Sequence, residues 1–475
     1  MSTTSQASQR INALLDENSF VEIGGLVTAR ATDFNLKQTE TPSDGVVTGY
    51  GVIDGNLVYV YSQDASVLNG SVGEMHAKKI ANLYDLAMKT GAPVIGLIDS
   101  AGLRLQEATD ALNGFGEIYM KQTLASGVIP QITAVFGSCG GGLALIPGMT
   151  DFTFMEEKKA KLFVNSPNAL EGNEISKCDT SAAAFQSEET GLVDMVADEA
   201  SILAQIRQLV SILPANNADL ALVDCTDDLN RACAQIANCV GDTSIALSQI
   251  ADDGVVVEVK QDYAKDMVVG FIRLNGATVG AVANRTEVYN ADGEVTDKFD
   301  AVLSARGAEK AAEFINFCDA FDIPVLSLTN VTGFAATKCS EKRMAKAVSK
   351  LTYAFANATV PKVNVIIGKA YGSAYVAMNS KAIGADITIA WPNAEIGMMD
   401  AKLAAKIICD GQGSDAIDAC AKEYAALQNN VTSAAKRGYV DQIVEPVDTR
   451  KYVIGAFEML ATKSEGRPEK KHGTV

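Results

Sequence analysis

Two kinds of apolar pattern alternate along the chain, and the alternation occurs twice. Short alternating runs flank an Asp-Gly at 54–55 and an Asn-Gly at 275–276, the signature of a β-hairpin. A helical pattern follows each. Ile80, Leu83, Tyr84 and Ala87 recur at i, i+3, i+4 and i+7, with Gly91 placed to end the helix. Phe314, Phe317, Cys318 and Phe321 repeat that spacing. Apolar runs at 93–99 and 324–330 predict short buried strands, each followed by a glycine-bearing loop. A further helix leads to strands at 131–136 and 362–367, and each of these runs into a turn of small residues that opens another helix.

The two halves are copies. "GAPVIGLIDSAG", ending at Gly102, matches "DIPVLSLTNVTG", ending at Gly333, 231 positions later. "GVIPQITAVFGSCGGG" matches "ATVPKVNVIIGKAYGS" at the same offset, whereas the hairpins at Gly55 and Gly276 lie 221 apart. The difference predicts a longer loop in the second copy, near 290–300, where the sequence is polar and glycine-bearing. Two homologous α/β domains follow, 1–235 and 236–475, meeting in the polar, unpatterned stretch 215–250.

The chain has 475 residues, 48% apolar and 21% charged, the profile of a globular protein with ample core. A formal charge of −18 argues against a nucleic-acid or anionic-membrane surface. Nine cysteines contain no CxxC pair, which removes a zinc ribbon or a thioredoxin-like motif. With no signal peptide, reduced thiols in the cytoplasm are expected. Residues 122–150 carry no charge, but Pro130, Gln131 and several glycines point to a buried strand, turn and helix rather than a membrane span.

The stretch "VFGSCGGGLALIP", 135–147, carries the candidate chemistry. A strand entering a helix through glycines presents backbone N–H groups that favour negative charge. No Gly-Lys-Ser/Thr follows, so it is no phosphate loop, and Gly137, Gly140, Gly141 and Gly142 do not form GxGxxG. An oxyanion hole and close strand–helix packing remain; recurrence of the turn as "KAYGSA", 369–374, favours the first. Only two histidines exist. A catalytic triad would need His76, expected on a solvated helix start, since His472 sits in a charged tail. Cys139 is expected to be small-residue packing.

The motifs "GEMHAKKI", "LAMKTGAPVIGLIDSAGLRLQEA", "LASGVIPQITAVFGSCGGGLALIPGMTDFTFM", "YAKDMVVGFIRLNGATVGAVANR", "FINFCDAFDIPVLSLTNVTGF" and "ATVPKVNVIIGKAYGSAYVAMNSKAIGADITIAWPNAEIGMM" run in order over nearly the whole chain. Together they resemble the carboxyltransferase subunits of biotin-dependent acyl-CoA carboxylases and decarboxylases. The resemblance implies an α/β fold of two tandem crotonase-like (ClpP/crotonase) ββα-superhelix domains. The first would take a CoA thioester and the second biotin, with active sites between subunits of a homo-oligomer. By position, the amides of Gly141 and Gly142 would hold the thioester enolate oxygen, and those of Gly372, Ser373 and Ala374 the ureido oxygen of biotin. Ala101, Gly102 and Val376 would line the substrate sites. The biotin nitrogen would exchange the carboxyl group and serve as base, which suits a chain so poor in histidine.

Several positions depart from the family. Gly140 stands where Ala is usual and Ser373 where a second Gly is usual. Val376 replaces an Asp common in propionyl- and acetyl-CoA carboxylases, and "AYVAMNSK" instead resembles the sodium-pumping decarboxylases acting on methylmalonyl-CoA or glutaconyl-CoA. The family's glycine-rich, histidine-bearing stretch is missing from 165–186. "LAMKT", 86–90, resembles a biotin-attachment turn, but Met88 and Lys89 continue a helical pattern. A biotin carboxyl carrier protein is therefore expected as a separate chain, with a membrane decarboxylase subunit or a biotin carboxylase as further partner, and location is expected to be cytoplasmic or peripheral at the inner membrane. Lys78, Lys79 and Arg104 are candidates for CoA phosphates, with Asp99 and Glu107 as structural partners of Arg104 or of backbone. The alternatives are the β subunit of an acetyl- or propionyl-CoA carboxylase, another crotonase-type CoA enzyme, and a non-catalytic assembly subunit.

Overall fold

A computed structural model describes residues 5–30 and 40–468; His472 lies outside them. The chain forms two compact units, Met1–Ala221 and Leu222–Val475. In the first, the Asp-Gly hairpin joins Val46–Ile53 to Asn56–Gln63 in antiparallel register. The sheet then grows by parallel pairing through Val94–Ser100, Gln131–Gly140, Phe152–Glu156 and Met195–Ala197. Val21–Ile23 closes the hairpin edge, and Lys161–Phe163 pairs with the far end of Gln131–Gly140.

The second unit repeats this order. Val256–Val259 and the hairpin Met267–Leu274/Ala277–Asn284 lead to Val325–Val331, Lys362–Tyr371, Ile387–Ala390 and Gln442–Ile443. Glu395–Gly397 pairs with the far end of Lys362–Tyr371. The extra residues of the second copy form a small hairpin, Glu287–Tyr289 with Val295–Lys298, ahead of helix Ala305–Ala320. The first copy has there only the short turn Leu68–Gly70. The polar stretch 215–250 is less bare than its pattern suggested. It contains helix Thr243–Ile250, which buries Ala246, Leu247 and Ile250 within the second unit.

The predicted helix in the first copy is Glu74–Thr90, with Ile80, Leu83, Tyr84 and Ala87 buried and Gly91 left-handed at its end (φ 65°). Met88 and Lys89 lie in its last turn. Residues 122–150 are the end of helix Ala108–Ala125, strand Gln131–Gly140 and the turns up to Gly148. Among the described residues no helix is long and apolar enough to cross a membrane.

His76 is fully buried, although a solvated helix start was expected. The loop carrying Asp44 covers that start. His76 N–H donates to Asp44 Oδ2 (2.8 Å), its Nδ1 meets the Asp44 carbonyl (3.0 Å), and its Nε2 meets Gln63 Nε2 (3.2 Å). Those contacts fit a neutral ring protonated on Nδ1. Burial, helped by the charges of Arg104 and Lys79, pushes its pKa down to about 3.

Each copy also buries a lysine at the same helical position. Lys79 Nζ donates to the carbonyls of Ser43 (2.9 Å) and Val46, and Lys310 Nζ to those of Lys260 (2.8 Å) and Tyr263 (2.7 Å). Each lysine thereby fixes the loop packed beside its helix.

The unfolded chain takes a proton near pH 6.5 that folded His76 refuses, so this residue makes stability fall as pH drops from 6.5 toward 3. His76→Gln removes that contribution. In urea unfolding, the advantage of the native chain over the variant should shrink between pH 7 and pH 5, by up to about 2 kcal/mol.

Candidate active site

Both copies end their central parallel strand in the same way. Gly140 is extended (φ −119°, ψ 157°), Gly141 is left-handed (φ 63°), and the turn Gly141–Ala144 runs into helix Leu145–Gly148. Tyr371 is extended (φ −118°, ψ 138°), Gly372 is left-handed (φ 61°), and helix Gly372–Ala377 follows. The exposure matches too. Gly141 and Gly372 are half-buried, Gly142 and Ser373 exposed, Leu143 and Ala374 buried. The opening amides of each helix have no intrahelical acceptor, so each turn offers a cradle of N–H donors at the protein surface.

The left-handed step costs an L residue about 1–2 kcal/mol, which glycine avoids. A Cβ at Gly141 would meet nothing within 4 Å, whereas one at Gly372 would lie 3.2 Å from the Met398 carbonyl oxygen. Gly102, also left-handed at φ 91°, would place a Cβ 3.4 Å from the Gly140 carbonyl. The loop of Ala101 and Gly102 therefore borders the first cradle, with Ala101 exposed. Val376 is exposed on the helix of the second cradle.

Behind the cradles the copies use matched polar contacts. Asp99 N–H donates to Gln63 Oε1 (3.2 Å), and Asn330 N–H to Asn284 Oδ1 (3.1 Å). Asp99 packs on Gly137 and Asn330 on Gly368, where a Cβ would collide with either side chain. Two contacts differ. Tyr119 Oη donates to the Gly142 carbonyl (2.5 Å), with its ring stacked on Phe115 at 6.0 Å. In the second copy Lys350 stands at the position of Tyr119, and the Tyr371 hydroxyl, at the position of Gly140, bonds Glu395. Tyr119 escaped the sequence reading, because helical periodicity places it one turn from Phe115 without showing what its hydroxyl reaches.

The cationic candidates separate. Arg104 is 1% exposed, and its Nη1 meets Asp44 Oδ1 at 2.6 Å and Glu107 Oε1 at 2.8 Å. Lys79 is buried on the two carbonyls described above. Neither is open to a CoA phosphate, since a buried cation already paired cannot exchange its partner without exposing a charge. Lys78 is on the surface, paired with Glu74 (2.6 Å). It lines a groove of about 880 Å³ with Lys121, Glu74, Asp85, Asp110 and Glu117, so acidic side chains outnumber basic ones there. Glu107 is the partner of Arg104, and its other oxygen accepts the Glu74 N–H (2.6 Å). Asp99 pairs with Arg10 (3.2 Å) rather than with Arg104.

Cys139 is fully buried, and burial raises its thiol well above the ordinary range, which leaves no thiolate nucleophile. The segment 165–186 is largely exposed, with short turns at Pro167–Ala169 and Phe185–Glu189.

Known proteins share the family and the fold. The family model described as carboxyl transferase domain matches residues 4–475. Methylmalonyl-CoA decarboxylase subunit alpha of Propionigenium modestum is 39% identical, covering 99% of this chain and 92% of that one. Propionyl-CoA carboxylase beta chain of Roseobacter denitrificans is 40% identical, covering 99% and 93%. The solved transcarboxylase 12S, a hexamer with hydrolysed methylmalonyl-coenzyme A bound, superposes with a TM-score of 0.91 at 36% identity, covering 98% of this chain and 92% of that one. The paired α/β units are thus a duplicated crotonase-like fold.

The two left-handed glycines should respond unequally to substitution. Gly141→Ala should lose about 1–2 kcal/mol in chemical denaturation. Gly372→Ala should lose more, because its methyl group also meets the Met398 carbonyl.

Proposed function

The chain belongs to the carboxyl transferase domain family, and from that premise we propose that it exchanges a carboxyl group between a malonyl-type acyl-CoA and biotin held by a separate carrier protein. Methylmalonyl-CoA or glutaconyl-CoA is the class of thioester, and a decarboxylase complex is the setting. The observation that carries this reading is the pair of matched amide cradles. Two reactants each develop negative charge on an oxygen, and each needs its own set of fixed donors.

In this scheme the carboxyl group leaves the α-carbon of the thioester, and the electron pair it leaves behind delocalises onto the thioester oxygen. The amides of Gly141 and Gly142 hold that oxygen. Tyr119, bonded to the Gly142 carbonyl, fixes the peptide plane whose other end is the Leu143 N–H. Ala101 and Gly102 wall the same cradle. The amides of Gly372, Ser373 and Ala374 hold the ureido oxygen, with Val376 one turn further on. Bound biotin would supply the ring nitrogen that takes up the carboxyl group and gives its proton to the α-carbon, so no histidine is needed; His76 is buried and neutral at the helix start. The donor set fits such a ligand, since main-chain amides tolerate Ser at 373 in place of Gly.

The hexamer of transcarboxylase 12S supports an oligomer, with each site shared between the first unit of one subunit and the second unit of another. The partners are a biotin carboxyl carrier protein and, for the decarboxylase reading, a membrane subunit that would keep this chain at the cytoplasmic face of the inner membrane. A second reading, the β subunit of a propionyl- or acetyl-CoA carboxylase, is favoured by the 40% identity to the Roseobacter protein. The apolar Val376 favours the decarboxylase.

With free biotin, the purified chain should catalyse slow carboxyl exchange with at least one of malonyl-, methylmalonyl- and glutaconyl-CoA. Exchange with none of them counts against the proposal. Gly142→Pro deletes one donor but also presses the left-handed Gly141 before it toward an extended conformation, so urea unfolding of the variant is measured alongside. It should lower kcat by about 10²–10³, while Gly142→Ala, which keeps the N–H but sets a methyl 3.1 Å from the Tyr119 hydroxyl, loses less. Equal losses would mean that the amide is not the working group.

A further inference from the structure

The two copies share a second device, on the outer side of the central strand. A short strand flanks the last residues before each left-handed glycine. Lys161–Phe163 runs beside Ser138, Cys139 and Gly140, and Glu395–Gly397 beside Lys369, Ala370 and Tyr371. Each flanking strand is tied by one buried amide side chain. Gln186 Nε2 donates to the carbonyls of Leu162 (3.0 Å) and Thr180 (2.7 Å). Asn429 Nδ2 donates to the Met399 carbonyl (3.0 Å), just past its strand.

Both amides arrive in the same unusual way. Gln186 lies in the π-helical turn Phe185–Glu189, and Asn429 ends the π-helical turn Ala425–Asn429. Among the described residues no other π-helical turn occurs. Each stands between the flanking strand and the last strand of its sheet, Met195–Ala197 in the first unit and Gln442–Ile443 in the second. Such turns are rare and concentrate at functional sites.

The tied strands reach the glycine steps directly. In the first unit both main-chain groups of Leu162 are engaged, its N–H by the Ser181 carbonyl (3.0 Å) and its carbonyl by Gln186. The next residue, Phe163, lays its ring on Gly140, where a Cβ would meet it at 2.7 Å. In the second unit a Cβ at Gly397 would collide with Asn429 Oδ1, so glycine there admits the amide. The Met398 carbonyl, 3.2 Å from the Cβ position of Gly372, lies between that strand and the bonded Met399. Removing either amide leaves a carbonyl without its donor and loosens the strand packed against the glycine step.

We propose that Gln186 and Asn429 are positioning residues, one for each amide cradle, acting through the flanking strand. Each holds the end of the central strand, so that the N–H groups after the glycine step keep their aim. The kinetic consequence rests on the carboxyl-transfer reading above; the structural consequence does not.

Hydrogen exchange of the full chain, read by mass, tests the structural consequence. Asn429→Leu should raise exchange roughly tenfold in the paired segments 369–371 and 395–397 and leave 138–140 and 161–163 unchanged. Gln186→Met should do the reverse. Carboxyl exchange between free biotin and malonyl-, methylmalonyl- or glutaconyl-CoA, whichever the native chain accepts, tests the kinetic consequence. Each variant should lower kcat roughly tenfold and leave KM for the thioester within about twofold, because fixed donors act on the transition state. Urea unfolding is followed in parallel. Should either variant not fold, Asn429→Ala and Gln186→Ala, which leave room for water at the carbonyl, carry the same expectations. Unchanged hydrogen exchange at the flanking strands, equal loosening of both units by one variant, one-sided loosening with native kcat, or a rise in KM alone would each overturn the proposal. A native chain that transfers no carboxyl group sinks the functional reading by itself, and hydrogen exchange then decides this one.

Discussion

The working geometry depends on one backbone constraint, the left-handed step at the end of each central strand. A β-strand that simply continued would bury its amides in the sheet, and a helix begun without the step would aim them elsewhere. Gly141 and Gly372 turn the chain at φ near 60°, so the next residues open a helix whose first amides are exposed. Glycine is favoured because an L residue loses about 1–2 kcal/mol in that conformation. The residues around the step are free to differ: Gly140 pairs with Tyr371, and Gly142 with Ser373, without altering the backbone.

Elsewhere, buried polar groups fix the helix that follows each hairpin to its neighbouring loops. In the first unit a buried cluster joins Arg104, Asp44 and Glu107 to the start of helix Glu74–Thr90, where His76 completes it. Removing one member would strand a buried charge, which makes such clusters costly to disturb even where their net contribution is small. The buried Lys79 and Lys310 act likewise through carbonyls. An acidic chain thus uses several of its cations as internal fasteners, which leaves fewer for the surface. Any recognition of CoA phosphates falls to groups other than Arg104 and Lys79.

Duplication answers a chemical need when two anionic oxygens must be stabilised on two reactants. The copies agree in the backbone of the turn and diverge in the side chains around it. Tyr119 reaches the Gly142 carbonyl in the first unit, whereas the equivalent position of the second is Lys350, and Tyr371, the counterpart of Gly140, bonds Glu395. Similarity to decarboxylase and carboxylase subunits is nearly equal, as expected if both branches share the transfer step and differ in their partners.

The duplication, the α/β class, the strand–glycine–helix turns and the family were legible in the sequence, because each is written in local periodicity, a constant offset or a run of small residues. The extra hairpin of the second copy was visible as ten residues of offset. Fates of individual charged side chains were not. Lys78 and Lys79 are adjacent in sequence, yet a helix turns neighbours about 100° apart, and packing sent Lys79 inward and left Lys78 outside. Arg104, His76 and Asp44 came together from three separate loops and helices, so no spacing in the chain announced them. Tertiary structure alone decided which donors were already satisfied, since that depends on atoms distant in sequence arriving within 3 Å of one another.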